Sequence, residues 1–418
     1  MKILLVTEDV PASILGGAGK HAVLLGNALI KAGHDVELLG RVRQTGVDTN
    51  NDFQGKLHAT INMRHVGLKE VALGIFNPLR RLLIAWRIWT AIKRLPYQQF
   101  DVIHYHGHTA ELGVLVPKHI NYVHTLHDQG SECMTMMRFR NGAPCKATSA
   151  IECAGCATKS KPNFLQKIIS ASAVKLHRYL ARQAFTRHKA IFVSEFVRQR
   201  FQAIVGHSDE LNTHVIHNFT DARAMRSLLK LVPSEKPNNL HPVVLVSGRV
   251  HITKGQASFL EALPDSLLKQ IEVRIAGDGP DLAQLREKHE KRGVKFLGWL
   301  LQEEVYKETM QADVCVVASI CEEACSTTII EALVLGKVVY SLACGGTPEL
   351  MRYCSYPNQL RLFDDMASLA NAVALVDYAN LHQYVSLKAD VTTRLPEILE
   401  VYSKPLASEI NTGNRGQN

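Results

Sequence analysis

The stretch CEEACSTTIIEALVLGK holds the residues whose types and spacing best suit chemistry, with Glu323 and Glu331 separated by seven residues. Thr328–Leu335 reads as a helix and Ala324–Thr327 as the loop entering it. Small and hydroxylated residues at a helix entrance leave backbone N–H groups available to an anion. Ser326, Thr327 and Thr328 add hydroxyl donors. A carboxylate before that entrance and another inside the helix suit a polyhydroxyl ligand, because a carboxylate accepts two hydrogen bonds from a vicinal diol. A capped surface helix with two solvated acids would give the same letters.

Two further stretches point to the same chemistry. VVLVSGRVHITKG ends a strand at Gly248 and carries Arg249 and Lys254, two cations placed to neutralise a diphosphate. Solvated loop charges are the plain alternative. Gly345-Gly346-Thr347-Pro348-Glu349 follows a strand and allows backbone to approach a ligand closely. Separately, Cys133, Cys145, Cys153 and Cys156 cluster and end in C-x-x-C. Four thiolates could hold a structural zinc, although the first two spacings are irregular.

These residues need a scaffold of strands and helices. Ile3–Val6 is an apolar run, followed by a glycine-rich loop at Gly16, Gly17 and Gly19. Apolar residues then recur at helical spacing from Ala22 to Ala32, and Val36–Leu39 is the next strand. That βαβ unit predicts an α/β fold with parallel sheets. Further strands are expected at Val102–His104, Tyr122–Leu126, Ala190–Val193 and Thr213–His217. A proline-bearing stretch, Leu228–Pro242, reads as a linker. The rhythm then repeats with strands at Val243–Ser247, Glu272–Ala276, Val294–Phe296, Val314–Val317 and Val338–Leu342, and helices such as Gln256–Ala262 and Asp281–Lys291. The expected division is residues 1–225, 226–380, a helical segment 381–406 crossing back to the first domain, and a disordered tail 407–418.

Composition narrows the partners. At 418 residues the chain suits two domains. Nine cysteines, part scattered and part clustered, do not resemble a secreted disulfide framework, so a reducing compartment is expected. The opening MKILLVTEDV is too short an apolar run for a signal peptide, and no run reaches the ~20 apolar residues of a membrane span. The net charge of +9 favours anionic partners. No nucleic-acid-binding motif accompanies it, which leaves phosphorylated substrates and anionic lipid.

In order along the chain stand GGAG, GHDV, DVIHYH, TLHD, FVSEFV, VIHN, GRVHITKG, IAGDGP, FLGWL, ADVCVVAS, E-x7-E, EALVLGK and GGTPE. This ordered set, spanning Gly16 to Glu349, resembles the retaining glycosyltransferases of family 4, which have two Rossmann-like parallel-sheet domains facing across a cleft (the GT-B fold). The resemblance implies that Arg249 and Lys254 hold the diphosphate of a UDP- or GDP-sugar. It implies that Glu331 binds the ribose and that Glu323 contacts the donor sugar near the reacting carbon. The N–H groups from Ser326 to Thr328 would face the phosphates, Leu297 in FLGWL would line the base, and Gly16 and Gly17 would approach the donor. His127 would sit at the sugar and acceptor end. Where relatives often have Gly-Phe-Gly or Pro-Phe-Gly after the first glutamate, this chain has Ala-Cys-Ser. No convincing Asp-x-Asp motif is present, so catalysis is expected to need no metal or other cofactor.

The resemblance extends to an acceptor that is a saccharide or is lipid-linked, in bacterial surface polysaccharide or lipopolysaccharide synthesis. The protein would then be cytoplasmic and peripheral on the inner membrane. Asn77–Leu95, with Trp86 and Trp89 and with Arg80, Arg87 and Arg94 every seven residues, is a candidate membrane-facing helix. An amphipathic helix packed on its own domain is the alternative. Lys161–Arg187 adds basic charge to the same half. A dinucleotide-dependent oxidoreductase is disfavoured, because GGAG is not G-x-G-x-x-G and no acid ends the second strand. A nucleotide-sugar epimerase lacks a reason for the E-x7-E pair. A catalytically degenerate scaffold subunit would have little use for Arg249, Lys254, Glu323 and Glu331 together.

Overall fold

A computed structural model describes residues 1–10, 17–42, 52–63, 76–157, 163–207, 211–229, 241–376 and 387–404. Gly16 and most of the expected linker fall outside these residues, as does the tail from 407. The chain forms two compact units. The first comprises Met1–Arg138, Cys145–His217 and Arg394 onward; the second comprises Phe139–Pro144 and Asn218–Thr393. The division at Asn218 precedes the expected linker, because the turn after VIHN already belongs to the second unit.

The first unit runs β1 (Lys2–Val6), α1 (Gly17–Lys31), β2 (Asp35–Arg41), β3 (Lys56–Ile61), α2 (Phe76–Lys93), β4 (Val102–His106), α3 (Leu112–Leu115) and β5 (Tyr122–Leu126). After a two-strand hairpin that belongs to the second unit, β6 (Phe139–Arg140) and β7 (Ala143–Pro144), the first unit resumes with α4 (Ala150–Ala157), α5 (Phe164–Arg187), β8 (Lys189–Phe192), α6 (Glu195–Val205) and β9 (Thr213–Val215). Its seven-stranded sheet has the order β3-β2-β1-β4-β5-β8-β9, and every pair is parallel. The expected strand at Val102 extends two residues further, to His106. Strand β3 was not anticipated; KLHATI mixes polar and apolar residues, as an edge strand can.

The second unit runs α7 (Ala222–Leu229), β10 (Val243–Ser247), α8 (Gln256–Ala262), α9 (Asp265–Leu268), β11 (Glu272–Ala276), α10 (Leu282–His289), β12 (Lys295–Gly298), α11 (Gln302–Gln311) and β13 (Val314–Val317). It continues with α12 (Thr327–Val334), β14 (Val338–Leu342), β15 (Leu360–Phe363), α13 (Met366–Ala374) and α14 (Val391–Ser403), whose residues from Arg394 belong to the first unit. Its six-stranded parallel sheet has the order β12-β11-β10-β13-β14-β15. Strands such as VVLVS are apolar throughout because helices cover both faces of a parallel sheet. Val244, Val246, Phe259, Ile275, Val314, Val316 and Leu369 are among the buried residues of that core.

Helix α2 is a packed helix of the first unit. Ala85, Ile88, Trp89 and Ile92 are buried in the core with Ile103 and Tyr122. Arg81 is also buried and donates to the carbonyls of His108 (2.9 Å) and Gly130 (2.6 Å). Trp86 is the exposed aromatic of the pair. Arg81 and Trp89 therefore serve packing and loop support, while Trp86, Arg80 and Arg94 are exposed. Among the described residues no helix is long and apolar enough to cross a membrane.

The interior of the first sheet is polar in an unusual way. His104 and His106 on β4 and His124 on β5 are all buried. His104 hydrogen-bonds with Tyr402 on α14 (2.7 Å) and with Thr125 (2.7 Å), which ties the last helix to the sheet. Lys189 adds a bond to the Tyr402 carbonyl (3.3 Å). Burial first, and the neighbouring histidines second, hold His21, His104 and His106 well below the usual histidine pKa. Burial pushes His124 and His188 down to about 4.

A histidine kept neutral by folding contributes stability above its unfolded pKa and loses it as pH falls towards the folded value. Every tenfold weakening of its proton affinity corresponds to ~1.4 kcal/mol. Burial raises Glu8 and Glu132, and the Asp128 charge raises His108; these three oppose the trend but are set against five histidines. The melting temperature is therefore expected to fall steadily from pH 7 to pH 5 in a thermal-melt series. A flat or rising profile would show that these histidines are not buried in the neutral form.

Candidate active site

The second sheet sets the position of its site by topology. Chain order proceeds from β10 to β11 on one side and resumes at β13 on the other, so β10 and β13 flank a topological switch point. Ligands of such sheets bind beyond the carboxyl ends of the strands there. The loops after β10, β13 and β14 carry Arg249 and Lys254, Glu323, and Gly345 respectively.

These loops are locked to one another through backbone. Thr253 lends its carbonyl to the amides of Ile320 (3.0 Å) and Cys321 (3.2 Å), which aligns the loop after β13 with the turn holding Lys254. Gly255 follows at φ +68°, where a β-carbon would stand 2.0 Å from the Ala318 carbonyl oxygen. Gly345 has φ +62°, and a β-carbon there would lie 2.3 Å from the Glu323 carbonyl oxygen. The next amide, Gly346 N–H, donates to that same oxygen at 2.7 Å. Only glycine fits these two approaches.

Glu323 is thereby fixed at both ends. Its carboxylate accepts from Lys254 Nζ and from Ser319 Oγ, each at 2.5 Å. Burial works against the Lys254 ammonium, but the Glu323 charge and hydrogen bond outweigh it and raise the lysine's pKa. Lys254 stays cationic at neutral pH. A cavity lined by Gly248, Lys254, Ser319, Glu323, Ser326 and Thr328 gathers four of the expected residues, Lys254, Glu323, Ser326 and Thr328. Arg249 is exposed beside it. A wider hollow of about 530 Å³ lies along Asp278–Glu290 and contains none of them.

Helix α12 begins at Thr327 with Ser326 as its N-cap, one residue earlier than expected. The Ser326 side chain makes no capping hydrogen bond, so the first N–H groups of the helix are not occupied by it. Asn218 holds the entrance by donating to the Cys325 carbonyl at 2.9 Å. Glu331 sits one turn inside, where it accepts from Gln302 Nε2 (3.2 Å) and Tyr306 OH (3.4 Å) on α11. Burial and the Glu331 charge push the Tyr306 hydroxyl far above its ordinary pKa, so it is a permanent donor. Gln302, Tyr306, Ser319 and Asn218 were not singled out by sequence; the position of FLGWL just before α11 was the available hint for the first two. Leu297, on edge strand β12, is half-buried.

In the first unit, Gly17 opens α1 at the surface and a β-carbon there would meet no other atom. His127 lies just past β5 in a cluster of imidazoles. Its Nε2 is 3.3 Å from Nδ1 of His106, and its ring meets that of His21 edge-on at 4.6 Å between centroids. The adjacent His108–Asp128 pair (2.5 Å) raises the His108 pKa to about 10, chiefly through the Asp128 charge.

The cysteine segment is pinned differently from expectation. Among the described residues, the ligand atoms that gather within 4.8 Å of one another are those of His21, His106 and His127; the four cysteines do not form such a group. Arg178 donates instead to Cys153 Sγ (3.2 Å) and to the carbonyls of Thr148 (2.6 Å) and Glu132 (3.1 Å). Buried Arg138 donates to the carbonyls of Cys145 (2.8 Å) and Ala147 (3.0 Å). Burial raises the Cys153 pKa. The four sulfurs expected to hold zinc, those of Cys133, Cys145, Cys153 and Cys156, are not gathered at that distance in this structure.

Comparison with known proteins agrees with this arrangement. Residues 15–224 match the family described as Glycosyltransferase Family 4, and residues 241–376 match Glycosyl transferases group 1. No curated protein matches the sequence. Among solved structures, HepE of Anabaena in complex with UDP and glucose is similar at 17% identity and a TM-score of 0.63, with 97% of this chain and 100% of that one covered. The sucrose-phosphate synthase of Thermosynechococcus elongatus is similar at 17% identity and a TM-score of 0.61, covering 99% of this chain and 98% of that one. The lipopolysaccharide outer core galactosyltransferase WaaB is similar at 14% identity and a TM-score of 0.55 over 100% of both chains. With both halves matched by its models and both sheets arranged as in GT-B structures, the chain belongs to glycosyltransferase family 4.

Proposed function

We propose that this glycosyltransferase moves a sugar from a UDP- or GDP-sugar to a saccharide or lipid-linked acceptor, with retention of anomeric configuration and without a metal ion. The observation that carries the reading is the Lys254–Glu323 pair at the switch point, facing the same cavity as the α12 entrance. The structural neighbour HepE binds UDP and glucose. WaaB, which is similar across its whole length, acts on lipopolysaccharide outer core. WaaB supports a role in surface polysaccharide or lipopolysaccharide synthesis, which we place in the cytoplasm.

The family resemblance implies a division of labour. Sugar transfer breaks the bond between C1 and the diphosphate oxygen and forms one between C1 and the acceptor oxygen. Negative charge grows on the leaving diphosphate, where Lys254, Arg249 and the first amides of α12 at Ser326, Thr327 and Thr328 would receive it. Two cations and a helix entrance supply the charge that a divalent ion would otherwise bring. Glu323, held by Lys254 and Ser319, would accept hydrogen bonds from the donor sugar. Glu331, with Gln302 and Tyr306 behind it, would bind the ribose diol, and Leu297 would border the base. Gly16 and Gly17 would approach the donor. The acceptor proton would pass to a leaving phosphate oxygen on the same face, and His127 would orient the sugar.

A ligand that binds only the folded protein raises its melting temperature. One of UDP or GDP is expected to raise it by several degrees at saturation, with the shift lost in Arg249→Ala and Glu331→Ala. No shift with either nucleotide in a folded sample would instead indicate a degenerate scaffold. With the donor so identified, Glu323→Gln is expected to lower kcat by about 100-fold or more. EDTA should leave the wild-type rate unchanged in the same assay; loss of turnover on chelation would overturn the metal-free mechanism.

A further inference from the structure

Helix α5 is inverted relative to an ordinary surface helix. Phe164, Leu165, Ile168, Ile169, Leu176 and Tyr179 are all exposed, the first two at 81% and 65%. At 100° per residue they fall within an arc of ~140° and a length of ~24 Å. The opposite arc is buried and holds Ser170, three alanines, Val174, His177, Arg178 and Phe185. Of its polar members, His177 bonds with Glu111 (2.6 Å) and Arg178 with the cysteine segment. The side facing solvent is therefore the more apolar one. Helix α4, which packs on α5, adds exposed Ile151. A contiguous apolar surface of this kind marks an interaction site.

Charge selects the occupant. The 24 residues of α5 include Lys167, Lys175, Arg178, Arg182 and Arg187 and no acid. Lys167 and Lys175 are exposed, and Lys175 lies within the edge of the apolar arc. A two-fold contact between copies through this face would set Lys175 against its like with no carboxylate on the helix to offset it. An anionic lipid surface satisfies both features, since lysine stems lie along the acyl boundary while the ammonium groups reach the headgroups.

We propose that α5 is a membrane-docking helix, lying in the plane of an anionic bilayer with the Phe164–Tyr179 face inserted. The inference is independent of the donor reading, because none of these residues belongs to the donor site. Co-sedimentation of the full chain with vesicles of phosphatidylglycerol and phosphatidylcholine tests it. Binding is expected to the mixed vesicles and to be weaker on pure phosphatidylcholine. Phe164→Ser combined with Ile168→Ser should lower the partition coefficient at least tenfold. Lys175→Gln should lower it about fivefold. All of these surface variants should keep the wild-type melting temperature and nucleotide-induced stabilisation, which separates a docking defect from a folding or donor-site defect. The proposal is overturned if the wild type ignores anionic vesicles or the serine variant binds them equally. It is also overturned if light scattering shows a wild-type dimer that the serine variant dissolves without loss of vesicle binding.

Discussion

Three carbonyl and amide groups of the second unit touch across loops that come from different strands, and the donor end of the protein depends on that contact. Thr253 O bonds the loop after β13, Gly255 admits the Ala318 carbonyl, and Gly345 admits the Glu323 carbonyl. A side chain at either glycine would push the β10, β13 and β14 loops apart. The Lys254–Glu323 pair would then lose the alignment that makes it short and fixed. A charge pair of this kind is worth little for stability when partly exposed. Its value is positional: it holds a cation and a carboxylate in one orientation beside an uncapped helix entrance.

The first unit solves a different problem. Its sheet interior carries imidazoles on adjacent strands, kept neutral by burial and bonded to Tyr402, Thr125 and Gly107. Buried polar groups cost free energy unless each finds a partner. The last helix, α14, supplies one of those partners through Tyr402, so the far end of the chain completes the sheet near its start. The imidazole cluster of His21, His106 and His127 is then a consequence of where β4, β5 and α1 end, and it brings to His127 neighbours that lie far from it in sequence.

Helices α2 and α5 show how a hydrophobic period can mislead. Both carry apolar residues and arginines at helical spacing. In α2 the aromatic Trp89 and the cation Arg81 are both buried, because the carbonyls of His108 and Gly130 need a donor. In α5 the small and polar residues face inward and the large apolar ones face out. Periodicity identifies that a helix has two faces; it does not say which face the rest of the chain covers.

Sequence by itself determined the elements that depend on local pattern. The apolar strand runs, the βαβ opening, the glycine turns and the order of motifs specified two parallel-sheet domains, and the residues from Arg249 to Glu331 that gather at one switch point in the second. Strand ends and helix starts shifted by one or two residues, since caps and hydrogen bonds rather than composition set them. Edge strand β3, with its mixed KLHATI pattern, escaped because pairing with β2 rather than hydrophobicity makes it a strand. Tertiary structure alone decided the remainder. It placed Gln302 and Tyr306 behind Glu331 and Ser319 beside Glu323, and it set Arg138 and Arg178 against the cysteine segment. It also chose which face of α5 meets solvent. These outcomes rest on contacts between residues distant in the chain, for which spacing along one element carries no information.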